Sequence, residues 1–332
     1  MTCKDCKKEF PESEMHGKGK LYCLSCFERR REFIRGRKYK LELLKSMPLE
    51  LKTKKSEMLL QEALSRYGAD VYVSYSGGKD STVLSHLARI LKPDILHIFS
   101  NTTCEYPETL QQIKWEQKEN DMNILIVRPS DKYGRFWNFK RVVRNEGFPM
   151  FSKVASNAIR TYRRAKTERT RQNSIDYITR RFKRFLYYKD LNISDKCCEK
   201  LKKTPIKQAA KKLGMECALI GTLAEESRQR EIDWVNFGCN VFDVKKDNQC
   251  RPLSFWTEKD IYDYIELHNL QISELYSMGY TRNGCMFCGF GIEYDLSNGK
   301  NRFERLAETH PKSYEYFINN FKDILEACHI KY

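Results

Sequence analysis

Hydrophobic positions along the chain follow two periods. Residues 29–66 are charged with a helical recurrence of apolar positions, and this pattern predicts two helices broken near Pro48, the second ending at Gly68. From about residue 70 short apolar runs alternate with amphipathic stretches. VYVSY (71–75), DILHIFS (94–100), NILIVRP (123–129) and ECALIGT (216–222) read as strands. Residues 81–91, 107–120, 204–213 and 255–269 read as helices, with Pro107 in a first turn and Thr257 as an N-cap ahead of Glu258 and Asp260. Such alternation predicts an α/β fold with a parallel sheet and right-handed crossovers. Five segments are expected: a small unit at 1–28, a helical connector at 29–68, a main α/β domain at 69–295, a basic helical insertion within it at 153–190, and a C-terminal helical segment at 296–332.

Composition narrows the class. The 332 residues suffice for about two domains at ~150 residues each. No apolar run reaches the roughly 18 residues of a membrane span, and MTCKDCKKEF lacks the apolar core of a signal peptide, so a cytoplasmic protein with no membrane partner is expected. The net charge is +16, from 60 Lys+Arg against 44 Asp+Glu, which favours a polyanionic partner. Eleven Lys/Arg fall between Arg160 and Lys189, interleaved with Tyr162, Tyr177, Phe182, Phe185, Tyr187 and Tyr188. Arginines with stacking rings suit single-stranded nucleic acid; a solvated basic face with inward-packed rings is the alternative.

The 13 cysteines are grouped, which in a reducing compartment points to metal before disulfides. Cys3-x2-Cys6-x16-Cys23-x2-Cys26 has the spacing of a zinc ribbon. Twenty-eight residues bury too little apolar surface to fold unaided, so metal is expected to drive their folding. Lys4, Lys7, Lys8, Lys18 and Lys20 lean this unit towards nucleic acid. Cys197-Cys198 and Cys285-x2-Cys288, separated by 86 residues, supply four more thiols for Zn²⁺ or an iron–sulfur cluster, and spacing alone does not choose.

The chemistry centres on YSGGKDS, Tyr75 to Ser81, between a strand and a helix. Gly77 and Gly78 allow backbone N–H groups to approach a dense anion, and the following helix offers its positive end. Lys79 adds a cation, Ser76 and Ser81 add hydroxyls, and Asp80 can hold Mg²⁺ through water. The spacing is neither a Walker loop nor G-x-G-x-x-G.

SGGKDS in this setting resembles the PP-loop of the adenine-nucleotide alpha-hydrolase superfamily. NTTCEYPET (101–109) resembles a motif of its phosphoadenylyl-sulfate (PAPS) reductase branch, which implies that Thr102, Glu105 and Thr109 lie near the nucleotide. IGTLAEESRQR (220–230) resembles the later nucleotide-side loop and makes Glu226, Ser227, Arg228 and Arg230 candidates, the arginines for phosphate or sulfate. CC followed by CxxC resembles the [4Fe–4S] pattern of adenylyl-sulfate (APS) reductases and selects the cluster over zinc for Cys197, Cys198, Cys285 and Cys288. SDKCCEKLKKTP, RNGCMFCGFG and THPKSYEYF are similar to a branch of the family common in phages and mobile elements.

One departure bears on function. Sulfonucleotide reductases of the family attack substrate sulfur with a C-terminal cysteine in E-C-G-L-H; here LEACHIKY leaves Cys328 beside His329, either as an activated thiolate or as a packed helical cysteine. The resemblance therefore implies an enzyme of one of two kinds. The first is an ATP pyrophosphatase-type sulfurtransferase acting on DNA or tRNA, with Lys79 and Asp80 catalytic and a sulfur donor protein as partner. The second is a sulfonucleotide reductase releasing sulfite from APS or PAPS. A non-catalytic nucleotide-dependent nucleic-acid-binding module is the third alternative.

Overall fold

The computed structural model describes residues 1–17, 19–243, 247–295 and 299–332. Lys18 and the first residues of the expected C-terminal segment lie outside them. The chain opens with a hairpin, β1 (Met15–His16) and β2 (Tyr22–Cys23), and runs into α1 (Leu24–Lys45) and α2 (Leu49–Tyr67). α1 begins within the cysteine unit and carries Cys26, so one helix continues across the boundary expected at residue 28. Pro48 divides α1 from α2, and Gly68 closes α2 at a positive φ of 55°.

Next come β3 (Val71–Tyr75), α3 (Lys79–Leu91), β4 (Leu96–Ser100), α4 (Pro107–Glu119) and β5 (Ile124–Val127). The chain then leaves the sheet for α5 (Phe139–Glu146), β6 (Met150–Phe151), α6 (Lys153–Arg163) and α7 (Glu168–Arg181). It returns through α8 (Thr204–Lys212), β7 (Cys217–Leu219), α9 (Arg228–Phe237), β8 (Asn240–Val241), β9 (Asn248–Cys250) and α10 (Glu258–Leu267). β10 (Gly289–Phe290), α11 (Ile292–Asp295), α12 (Arg302–Thr309) and α13 (Pro311–Ala327) complete it.

The main sheet has the order β5-β4-β3-β7-β9-β8, parallel except for β8 against β9. From β3 the chain steps outward through β4 and β5, then returns to β3's other side at β7. The crevice beyond the carboxyl ends of β3 and β7 is thus the topological switch point, where ligands bind in open α/β sheets. One core joins the sheet to α2, α3 and α10, with Val73, Leu84, Leu87, Phe255 and Trp256 fully buried. Each such aliphatic side chain stabilises by about 1.5–3 kcal/mol.

A second core holds α5, α6, α7, α12 and α13 around Phe148, Phe303 and Phe317. β10 pairs with β6 in parallel and anchors the CxxC segment to this layer. The interleaved aromatics belong here: Phe185 is buried, and Tyr162, Tyr177, Phe182 and Tyr188 pack against the same core, leaving Tyr187 as the 88% exposed ring. The helices put most of these rings against the core and arginines over two of them, Arg171 over Tyr162 and Arg181 over Tyr177, as the inward-packed alternative expects.

Candidate functional site

β3 ends in a loop built around its own hydroxyls. Ser81 donates through Oγ to Gly78 O at 2.8 Å, and its Oγ lies 3.0 Å from Ser76 Oγ. Gly77 sits at φ 70°, and a Cβ there would meet Thr109 Cγ2 at 3.1 Å. α3 begins at Lys79 with Gly78 as an extended N-cap that supplies no side chain, whereas Ser152, Thr167, Ser227 and Thr257 cap α6, α7, α9 and α10. α1, α2, α4, α8 and α13 also lack a side-chain cap; what distinguishes α3 is that its uncapped N-terminus lies at the switch point, where backbone N–H groups can meet an anion. The Tyr276 hydroxyl accepts from Lys79 N at 2.9 Å.

Lys79 is 5% exposed, and its Nζ lies 3.2 Å from Glu258 Oε1 and 3.6 Å from Asp80 Oδ1. Burial lowers its pKa, but Asp80, Tyr276 and Glu258 outweigh it and hold the ammonium above its ordinary value. Burial raises the Asp80 carboxyl against the pull of Lys79 and Arg230. Asp80 Oδ1 is a buried acceptor without a hydrogen-bond partner. From β7, Gly221 passes so close that a Cβ would lie 2.9 Å from Asp80 O. A cavity of about 1360 Å³ opens beside these loops, bordered by Ser76, Ile220, Thr222, Ser227 and Arg230. Arg228 stands exposed on the first turn of α9 and does not line it.

Thr102 and Glu105 bind each other and lie against Cys285. Thr102 N and Oγ1 donate to Glu105 at 3.0 and 2.7 Å, Thr102 Oγ1 lies 3.7 Å from Cys285 Sγ, and Glu105 bridges Cys285 through the backbone. Cys197 is buried, and its thiol is raised well above the ordinary range by burial and by Cys285, Cys198 and Cys288. Burial pushes Cys285 up to about 11, with Glu105 adding and Lys202 opposing. The four inner thiols thus converge electrostatically.

Among the described residues, the only group of possible ligand atoms all within 4.8 Å of one another is Cys3, Cys6, Cys23 and Cys26. Zn–S bonds of ~2.3 Å on one tetrahedral ion require such closeness, and the N-terminal quartet fits it. Cys197, Cys198, Cys285 and Cys288 do not form such a group.

The phosphoadenosine phosphosulfate reductase domain model matches residues 70–145 and 145–289, well over half of the chain. The chain belongs to the PAPS reductase family. It is 22% identical over 303 residues to an uncharacterised protein of Methanocaldococcus jannaschii, covering 89% of this chain and 57% of that protein. The adenosine 5'-phosphosulfate reductase of Geobacillus kaustophilus is 25% identical over 250 residues, 73% of this chain and 83% of the relative. The phosphoadenosine 5'-phosphosulfate reductase of Synechococcus is 22% identical over 277 residues, 81% and 96% of the two chains. A solved PAPS reductase from Candida auris, in a phosphate complex, overlays with a TM-score of 0.45 at 14% identity over 72% of this chain and 96% of that one.

A PAPS reductase family domain is therefore shown from β3 to the CxxC, and the geometry adds residues that the motifs missed. Lys202 lies in a π-helical turn, Glu199–Lys203, just after the paired cysteines. Cys285, together with Glu105 and Cys198, raises its ammonium against burial, and the same residue lines the cavity. The unusual turn after CC was the available signal. Tyr276 and Glu258 reach the loop from nearly 200 residues away. Asn283 accepts from Thr109 Oγ1 at 2.8 Å and packs against Gly78. No helix among the described residues is long and apolar enough to cross a membrane.

Proposed function

We propose that the chain is an ATP-using enzyme of the PAPS reductase family that activates an oxygen of a nucleic acid, DNA or tRNA, for replacement by sulfur. The observation that carries this reading is Cys328. Its thiol is 2% exposed in the second core, is not among the residues that border the cavity, and is pushed up to about 12 by burial. A reductase of this family needs that thiol as its nucleophile; a packed, protonated one does not serve.

In the proposed reaction the substrate oxygen attacks the α-phosphorus of ATP, and pyrophosphate leaves with the electrons of the broken bond. A sulfide-level nucleophile brought by a donor protein then displaces AMP, which carries the substrate oxygen away. Ser76, Gly77, Gly78 and Ser81 bind the phosphates, Arg230 adds a guanidinium from the cavity wall, and Arg228, two residues before it on the first turn of α9, adds positive charge outside the cavity. Lys79, released from Glu258, neutralises charge on the departing pyrophosphate. Asp80 Oδ1, which makes no hydrogen bond and has the Lys79 ammonium at 3.6 Å, fits a hydrated Mg²⁺, which supplies further charge neutralisation when bound. Cys197, Cys198, Cys285 and Cys288 would hold the [4Fe–4S] cluster, which supplies a sulfur-binding or redox centre when bound. Thr102 and Glu105 would hold Cys285 in place from the side of β4. Cys3, Cys6, Cys23 and Cys26 would hold structural Zn²⁺, and a cytoplasmic site of action is consistent with so many free thiols.

The Geobacillus APS reductase and the Synechococcus PAPS reductase, as relatives, favour a second reading, a sulfonucleotide reductase releasing sulfite from APS or PAPS. Anaerobically purified protein incubated with labelled ATP or labelled APS separates the two. Pyrophosphate release from ATP, stimulated by nucleic acid, is expected. Sulfite release from APS that disappears in Cys328→Ser overturns the first reading in favour of the second.

A further inference from the structure

Parallel sheets are normally covered on both faces. Here α8 lies over β4 and β5, and the cavity opens on the same face over the neighbouring strands. Its floor is a row of register partners, Tyr72 of β3, Ala218 of β7 and Gln249 of β9. At about 1360 Å³ this groove exceeds the ~300–1,000 Å³ that suffices for a single small ligand.

The wall that α8 gives to the groove is basic. Lys207 and Lys211 of α8 and Lys203, the last residue of the π-helical turn that runs into it, all line it, spaced four residues apart, with about 6 Å of rise from one α8 lysine to the next. All three are exposed, and Lys153, at the start of α6, joins them at the rim. Among the described residues no acid pairs with Lys153, Lys203 or Lys211. Of the four acids that line the groove, Asp243 pairs with Arg66 and Asp247 with Lys207, Asp233 accepts from the Gln229 amide, and Glu216 stands immediately before β7. Lys203 immediately follows Lys202, so the row ends where the cavity meets the inner cysteines.

We propose that this groove is the track for a single strand of nucleic acid, its phosphates running along Lys211, Lys207 and Lys203 towards the PP-loop. The proposal rests on the nucleic-acid substrate inferred above, and it names the surface. That surface is the flank of α8, not the arginine-rich α6–α7 face, whose rings are turned into the core. A single row of cations on one helix matches one backbone, and Asp247 gives up Lys207 when a phosphate takes its place.

The test is fluorescence anisotropy with a labelled single-stranded oligonucleotide over a salt series, using the full chain. Each neutralised phosphate on a single strand contributes about 0.7 to the slope of log affinity against log salt. Lys203→Gln/Lys207→Gln/Lys211→Gln is therefore expected to lower the slope by about 2 and the affinity at 0.1 M salt by about 100-fold, with the difference closing towards 1 M. The triple Lys→Arg variant is expected to retain binding, which separates charge from folding. Arg163→Gln/Arg169→Gln/Arg181→Gln, on α6 and α7, is expected to bind within a few-fold of the parent chain. If that variant loses binding while the α8 variant keeps it, the track is wrong and the nucleic-acid reading survives. If the parent chain binds no oligonucleotide, DNA or RNA, and instead retains an acidic protein partner in the same salt series, the nucleic-acid reading falls with it.

Discussion

Gly221→Ala tests the close packing of the β7 loop on the PP-loop. Gly221 does not need a positive φ, so its backbone accepts alanine; the obstacle is space alone. The added Cβ would stand 2.9 Å from Asp80 O, 3.1 Å from Asp80 C and 3.3 Å from Ser81 N. Comfortable contact is about 3.5–4.0 Å, so the two segments must part by roughly half an ångström or more. The atoms met are backbone of the first turn of α3 and cannot rotate aside. Overpacking of this kind costs about 1–3 kcal/mol, a fall of several degrees in melting temperature. Because the displaced turn carries Lys79, Asp80 and Ser81, affinity for a non-hydrolysable ATP analogue is expected to fall about tenfold, in keeping with the sensitivity of sites to small misplacements. Gly36→Ala is the control: it lies inside α1 with nothing within 4 Å of the new Cβ, and it is expected to stabilise by up to about 1 kcal/mol. Thermal melts and calorimetric titration read both effects. A Gly221→Ala protein that melts and binds as the parent does would refute the close approach.

Four further outcomes are expected. Lys52, 2% exposed, holds Asp260 Oδ2 at 2.5 Å beneath the Thr257 cap, so Lys52→Met strands a buried carboxylate and costs about 3–5 kcal/mol by chemical denaturation, with part regained in Lys52→Met/Asp260→Asn. Burial holds the His97 imidazole down to about 4, while the unfolded chain takes up its proton near 6.5. The unfolded state therefore binds more protons between these values, and about 3 kcal/mol of stability, fully present above pH 6.5, is lost as pH falls to 4; His97→Gln is expected to flatten that slope. Iron analysis after anaerobic purification is expected to show the metal lost in Cys198→Ser and kept in Cys104→Ser, and equal iron in both removes the four-cysteine assignment. Chelation of zinc is expected to expose residues 1–28 to protease while the α/β domain keeps its melt, because Cys3 and Cys26 form a core of their own with few other apolar side chains.

The elements that the chain announces are those written in local pattern. VYVSY, SGGKDS and the helix after it are contiguous, so strand, glycine turn and uncapped helix end were legible together, as was Thr257, whose capping box closes with Asp260 three residues on. Periodicity says that one face of α6 and α7 is apolar but not which neighbours it meets, and the rings that suggested stacking are the second core. β8 and β9 carry Asn240, Asn248 and Gln249 at the sheet edge, with no apolar run to betray them. The site's second layer is the least legible, for a physical reason. Thr102 and Glu105 share a motif with Thr109, yet their mutual hydrogen bonds turn them to Cys285, while Thr109 stays with Asn283 and the glycines. A motif fixes which residues travel together, and hydrogen bonding over three residues decides which way each one looks. Lys79 carries the same lesson. Its loop is read from seven consecutive residues, but Glu258 and Tyr276 hold its charge and its amide. If the proposed phosphate takes the Lys79 ammonium and amide, it displaces both, and the affinity of this loop is then set as much by α10 and the turn before the CxxC as by the loop itself.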